Sequence, residues 1–313
     1  MKIAIGAIFR DEYEYIIEWL AWHQIAGFDT FYIADNASSD GSTALLEALS
    51  DLGFISLIYQ PVIEKRVQIL AYNRVIEMAM GRVESILFID ADEFLTHESM
   101  KDGAEFEHLK HVLTQPKVGM VGINWRVFGS SGHLKYIQEP VVERFTDCCS
   151  DKGKMNNGHL KSVTKIAYIT SIDCHLSTVL APWLRVDVNG KELTEFIVPA
   201  GVTKHVVSSP LRVNHYVIKS KQEFIEKKRK RGDAIHGTDY DRGMAYFHAR
   251  EFKDEKFCFP SLKIQQLKNK MLDISFKIKQ LTCFNRQLKG VIDVINERVI
   301  VGWLLDEMGC SQG

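Results

Sequence analysis

Two aspartates one residue apart, Asp90 and Asp92, close the apolar run Ile86-Leu87-Phe88-Ile89, and Glu93 follows at once. Hard carboxylate oxygens at this spacing suit a divalent cation, Mn2+ or Mg2+, bridged to phosphate oxygens. Asp92 is the first candidate ligand, with Asp90 beside it. The bland alternative is that Asp90 and Glu93 cap the next helix or turn. The run is short and continuous, as a buried parallel strand should be. Its carboxylates then sit at a strand's carboxyl end, where open α/β sheets bind ligands. Charges packed against a core are costly without a partner, which favours the cation.

The elements before this stretch are the ones that must position it. Residues 2–9 read as a first strand and 13–26 as an amphipathic helix closed by Gly27. Thr30 to Ala34 is a second strand, and Asp35 opens a polar loop that runs to Ser42. Ser39, Asp40 and Ser42 are expected as turn and cap residues. A helix from Thr43 to Leu52, a strand from Phe54 to Tyr59 and a helix over 67–80 follow. This alternation predicts a mainly parallel sheet with helices on both faces. The polar loops should gather at one edge of it.

Farther on, 96–116 has loop and helix character and Val118–Val127 reads as a strand. The small-residue loop 128–133 would allow close backbone approach to a ligand. The stretch from Asp151 to Lys165 reads as flexible, 178–210 as short strands and turns, and Glu223 to Arg231 as a basic helix.

The 313 residues carry a formal net charge of -1, with 46% hydrophobic and 25% charged residues. This is ordinary globular composition and gives no electrostatic case for nucleic acid. No segment reaches membrane-spanning length. The N-terminal apolar run has no cleavage site and is read as a strand, so a cytoplasmic chain is expected, peripheral to the inner membrane face if its tail binds lipid. The six scattered cysteines are expected as free thiols. Beyond residue 260, Leu267, Met271, Ile274, Ile278, Leu281 and Leu288 form a heptad-like seam beside many lysines. Three readings stay open for 262–289: packing on the main domain, a homodimer, or docking on an anionic membrane.

Together these motifs resemble a GT-A fold glycosyltransferase of the family 2-like group, near the bacterial relatives of family 92. The resemblance rests on Phe9-Arg10-Asp11-Glu12, on Glu18-Trp19-Leu20-Ala21-Trp22-His23, and on the stretch from Phe31 to Ser42. Gln68 with Tyr72-Asn73, Phe88 to Leu95, Asn124 to Gly132 and Asn214-His215-Tyr216 complete it. It implies a mixed, mainly parallel α/β sheet and a catalytic domain over 1–258. That domain divides into a nucleotide-sugar half (1–127) and an acceptor half (128–258). A basic helical extension (259–290) and the start of a β-rich module (291–313) follow.

The resemblance also implies a reaction. A sugar would pass from a nucleotide-diphosphate donor, a UDP-sugar first, to a hydroxyl of a glycan or lipid-linked glycan, with inversion, in bacterial surface polysaccharide or lipopolysaccharide assembly. Metal ligands would be Asp92, Asp90 and His215, with His175 as a substitute. Phe9, Arg10, Asp35, Gln68, Asn73 and Asp90 would hold the donor, and Arg66 and Lys219 could reach phosphate. Glu143 is the first candidate base, beside Arg144, with Asp147 and Glu93 behind it. The usual Glu-Asp pair is missing there. The alternatives are a sugar-phosphate nucleotidyltransferase and an inactive nucleotide- or sugar-binding protein.

Overall fold

The computed structural model describes residues 1–61, 66–151, 155–198, 201–229 and 241–284. The elements begin β1 (Ile3–Phe9), α1 (Ile16–Ile25), β2 (Phe31–Asp35), α2 (Ser42–Asp51), β3 (Ser56–Tyr59), α3 (Val67–Ala79) and β4 (Ser85–Phe88). They continue with β5 (Glu93–His97), α4 (Ala104–Leu113), β6 (Val118–Val127), α5 (Val141–Arg144), β7 (Asp147–Cys148) and β8 (Leu160–Lys165). Short ladders join β9 (Ile169–Ser171) to β10 (Thr178–Val179) and β12 (Phe196–Val198) to β13 (Val202–Thr203). The remaining elements are β11 (Leu184–Val186), β14 (Leu211–His215), α6 (Lys221–Glu223), α7 (Gly243–His248), β15 (Glu255–Lys256) and α8 (Ser261–Phe284).

Among the described residues, nine strands form the main sheet in the order β3-β2-β1-β4-β8-β6-β14-β5, with β11 also beside β6. β1, β2, β3, β4, β6, β11 and β14 are parallel to one another, while β8 and β5 run against them. The mixed, mainly parallel sheet agrees with the GT-A expectation. β8, from the expected acceptor half, lies between β4 and β6, so both halves share one sheet.

Side-chain alternation sorts the core. Ile3, Ile5, Ala7 and Phe9 pack with residues of α1, α2 and α4. Ala4, Tyr32, Ala34 and Phe88 pack with Ala71, Tyr72 and Val75 of α3 on the other face. Gly6 lies on that second face. A Cβ there would stand 2.6 Å from the Phe88 ring. The ring needs that space, because it stacks on Tyr72 at 4.0 Å.

Three expectations need correction. First, Asp151–Lys165 does not end as loose chain: Leu160–Lys165 is a central strand. Its polar letters, Lys161, Ser162, Thr164 and Lys165, concealed it. Lys161, Ser162 and Thr164 are buried because partners await them. Second, 96–116 opens inside an unanticipated edge strand, β5, which pairs antiparallel with β14. Third, Gly129 of the 128–133 loop makes its close backbone approach to protein: a Cβ there would stand 2.7 Å from the Phe252 carbonyl. Of the three readings open for 262–289, packing on the main domain is the one the described part of the seam shows. Ile264, Leu267, Ile274 and Ile278 join the main core, and α8 packs on α1 and α2. Its lysines find local acids, Lys263 at Asp102 (3.0 Å) and Lys277 at Asp273 (2.9 Å). Leu288, the end of the basic run at 230–231 and the expected module at 291–313 lie outside the described residues.

Candidate active site at the sheet's carboxyl edge

The carboxyl ends of β1, β2, β4, β6 and β14 share one edge. β5 and β8, running the other way, begin there. This geometry gathers Asp90 and Asp92 from the β4–β5 turn, His215 from the end of β14, and Lys161 from the start of β8. β5 pairs Glu93 with His215 directly.

Helix α1 fixes the acidic turn. The Trp19 indole donates to the Asp90 carbonyl at 2.9 Å, and Trp22 donates to the Leu95 carbonyl at 2.7 Å. His23 accepts from the Leu95 amide at 3.3 Å, while its Nδ1 lies 2.8 Å from the Trp19 carbonyl. Those contacts require the neutral Nδ1–H tautomer, and burial agrees by pushing His23 down to about 3. Trp19, Trp22 and His23 of the Glu18-to-His23 signature are therefore a clamp on the Asp90–Leu95 segment. It is not a substrate contact.

Asp90 is held on both oxygens. Oδ1 accepts from Gln68 Nε2 (2.9 Å) and from the Tyr72 hydroxyl (3.1 Å), and Oδ2 lies 2.8 Å from Lys161 Nζ. Burial alone would raise Asp90, yet Lys161 brings it below its ordinary range. Lys161 also lies 3.3 Å from Glu93, whose Oε2 accepts the Asp90 amide at 2.7 Å. Burial, with the charges of Asp90 and Asp92, pushes Glu93 up to about 8 against the pull of Lys161. Glu93 is wholly buried, so its candidacy as a base finds no opening to an acceptor.

Asp92 is 6% exposed and differs from Asp90 in its partners. Oδ1 faces His215 Nε2 at 3.5 Å, and Oδ2 lies 2.6 Å from Lys228 Nζ. Burial would raise its pKa, but Lys228 and His215 hold it well below the usual carboxylate range. Burial keeps His215 below the usual imidazole range, with Asp92 opposing, and its Nδ1 is buried without a partner among the described residues. Nε2 is the ring nitrogen that faces Asp92: protonated, it donates to Oδ1, and unprotonated, it would set a second lone pair beside that oxygen. A shared cation reconciles two such acceptors, and a 3.5 Å separation suits ligands each about 2.0–2.2 Å from one ion. Asp92 and His215 thus fit a divalent cation as a two-donor set, with phosphate and water left to complete it. Asp90 is the less available ligand, because Lys161, Gln68 and Tyr72 hold both its oxygens, whereas Asp92 keeps Oδ1 toward His215. Among the described residues, no three His, Cys, Asp or Glu side chains are grouped to hold a metal by themselves.

The other candidates divide. Phe9 is core: its ring meets Trp19 edge-on at 5.1 Å, and its carbonyl accepts the Asn36 amide at 2.8 Å. Arg10 lies at the same edge, 3.9 Å from Asp11. Asp35 is buried and organises its loop, accepting the Ser38 and Thr43 hydroxyls at 2.6 Å each. Gln68 reaches the site, whereas Asn73 is exposed on another face of α3. Tyr72, one turn after Gln68, takes the inward position. Arg66 is exposed before α3. Lys219 is buried, its ammonium 4.0 Å from the Tyr15 ring centre. His175 instead packs on Trp125 and lies 3.2 Å from the Leu160 carbonyl.

Glu143 does not pair with Arg144. Lys268 of α8 lies 2.9 Å from it, and Arg144 makes a buried two-pronged contact with Glu223 at 2.9 and 3.0 Å. Asp147 begins β7. Its backbone accepts Gly129 N–H at 2.9 Å, next to Phe128, whose amide donates to the His215 carbonyl. Sequence reasoning missed Lys161 and Lys228. Lysine alternating with Leu160 and Ser162 was the available signal for Lys161, but it reads equally as surface.

The family profile described as Glycosyltransferase family 92 matches residues 5–238. The chain belongs to glycosyltransferase family 92. A rice (Oryza sativa subsp. japonica) family 92 protein is 23% identical over 149 residues, which is 46% of this chain and 24% of that protein. The chain thus matches about a quarter of this curated relative. The expected bacterial setting gains no support from it, since that relative is a plant protein. Among solved structures, S. aureus TarS 1-349 in complex with UDP-GlcNAc has a TM-score of 0.34 at 14% identity, over 99% of this chain and 92% of that one. HddC from Yersinia pseudotuberculosis has a TM-score of 0.32 at 9% identity, over 60% and 91%. Overlaps this loose carry no argument about chemistry. The family assignment rests on the sequence profile, and the fold on the sheet described above.

Proposed function

We propose that this family 92 chain transfers a glycosyl group from a nucleotide-diphosphate sugar to an acceptor hydroxyl. The observation that carries the reading is the pairing of Asp92 with His215 at 3.5 Å on the carboxyl edge of the sheet. A Mn2+ or Mg2+ ion bound there would offset the charge that builds on the departing nucleoside diphosphate. Asp92 and His215 would hold it. Asp90, fixed by Lys161, Gln68 and Tyr72, orients the turn that carries Asp92. Asp35 shapes the loop beside the base and ribose of the donor, and the Arg10 backbone closes that side. The acceptor is a glycan or lipid-linked glycan hydroxyl approached from the side built by residues 125–165.

A base must take the acceptor proton as its oxygen bonds to the sugar carbon. Asp147 is preferred over Glu143, because Lys268 already engages Glu143. Parallel turnover assays of Asp147→Asn and Glu143→Gln separate the two. A large fall in kcat in Glu143→Gln alone would reverse the preference.

The first test measures thermal stabilisation by UDP, GDP, CMP and ADP, each with and without Mn2+. One nucleotide should stabilise the chain, by about 2.7 kcal/mol at a hundredfold excess over its dissociation constant. The shift should need Mn2+ and vanish in Asp92→Asn. If no nucleotide shifts wild type, the donor site is absent. Release of nucleoside diphosphate identifies glycosyl transfer, and release of pyrophosphate would identify nucleotidyl transfer instead.

A further inference from the structure

Two lysines serve the acidic turn, and they are held differently. Lys161 springs from the central strand β8, and its side chain is 1% exposed. Asp90, Glu93 and the Cys174 carbonyl surround its ammonium. It is built into the sheet. Lys228 ends a short π-helical turn, Phe224–Lys228, and its side chain is 23% exposed. Asp92 Oδ2, at 2.6 Å, is the one acid that meets its ammonium among the described residues. Four methylenes separate that ammonium from the backbone, so it can move several ångströms while the turn stays in place.

Lys228 meets Asp92 Oδ2, and a cation shared with His215 would meet Oδ1, so the two would compete for the single negative charge of one carboxylate. The displaced ammonium would remain beside the site, next to the ion and the negative oxygens it binds.

We infer that Lys228 is the exchangeable cation of this site: it and the divalent ion compete for the charge of Asp92, and when the ion binds, Lys228 turns to the donor diphosphate. The inference rests on the glycosyl-transfer reading and adds a substrate-binding residue to it. Lys228 should therefore oppose the metal and assist the nucleotide. A residue serving only the fold would not move these two affinities in opposite directions.

The test uses the full chain and Lys228→Gln, whose thermal midpoints are compared first. Mn2+ alone is titrated and read by loss of the free-ion electron paramagnetic resonance signal. Lys228→Gln should bind Mn2+ more tightly, by between about 5-fold and 150-fold. UDP and GDP are then titrated calorimetrically at saturating Mn2+. The nucleotide that binds wild type should bind the variant about tenfold more weakly or worse. Equal Mn2+ affinity in both proteins overturns the exchange, even if nucleotide binding stands. Weaker Mn2+ binding in the variant overturns it too. If neither protein binds Mn2+ but both bind nucleotide, the exchange fails and donor binding survives. If neither ligand binds either protein, the glycosyl-transfer reading falls with it.

Discussion

Lys161 shows how much one side chain can decide. Its ammonium is the only cation within contact distance of Asp90 and Glu93 among the described residues. Its removal takes the counter-charge from Asp90, whose side chain is 31% exposed, and pushes the buried Glu93 further toward its neutral form. Lys161→Met should therefore lower stability by about 1–3 kcal/mol, read by urea unfolding. Asp90→Asn in the same chain should recover part of that loss. A neutral result in Lys161→Met would mean that solvent or another cation satisfies Asp90 in place of the ammonium. Trp19 is the quieter example. Trp19→Phe keeps the packing but strands the Asp90 carbonyl, at a cost of about 1–3 kcal/mol. Loss of nucleotide binding without loss of stability would show instead that the indole serves the ligand.

At the scale of elements, α5 and α6 are tied together by charge. Arg144 of α5 grips Glu223 of α6, and Ser220 and Glu223 cap each other's backbone at the start of that turn. Although burial would raise Glu223, Arg144 draws it down to about 2. A lowered carboxyl stabilises the fold above its unfolded pKa near 4.5, and that contribution is lost as pH falls toward about 2. Glu223→Gln should be less stable at neutral pH by about 3–5 kcal/mol and should show a shallower acid limb. An acid limb that keeps its slope would assign it to other carboxylates. β1 and α3 are coupled through space alone. Gly6→Ala must push the Phe88 ring, and with it Tyr72, whose hydroxyl donates to Asp90. Overpacking of this kind costs about 1–3 kcal/mol. Nucleotide affinity should fall with it, although residue 6 touches no ligand-facing atom.

For the whole molecule, Glu18 sits where α1 meets α5. It is buried, and its carboxylate accepts the Val141 and Val142 amides at 2.9 and 3.2 Å. Burial outweighs those bonds and raises Glu18 to about 7. A raised carboxyl contributes stability that is complete below its unfolded pKa near 4.5 and is lost as pH rises through about 7. Thermal midpoints of wild type should carry this falling component between those values, and Glu18→Gln should lack it. The C-terminal helix gives the companion test. Ile274→Ala in α8 should cost about 2–5 kcal/mol of global stability, as a core truncation does. A change in oligomeric state with unchanged stability would restore the dimer reading of the seam.

The chain's own order of letters was enough for the parallel β/α alternation, because continuous apolar runs and 3.6-residue periods are local properties. It was also enough to single out Asp92, an acid ending an apolar run, whereas His215 came from the resemblance to a family and not from its own pattern. It could not show β8, because Lys161 becomes a core residue only once Asp90 and Glu93 lie across from it. Nor could it divide the work between Asp90 and Asp92. Their letters are identical, and only the arrival of β8 at one and of β14 and the 224–228 turn at the other makes them different. Glu143 and Arg144 were adjacent in sequence and found separate partners, because neighbours along a short helix point to different sides. Local pattern determined the strands and their acidic ends. Long-range pairing decided which acid is locked by a lysine and which is left with an imidazole and an exchangeable charge.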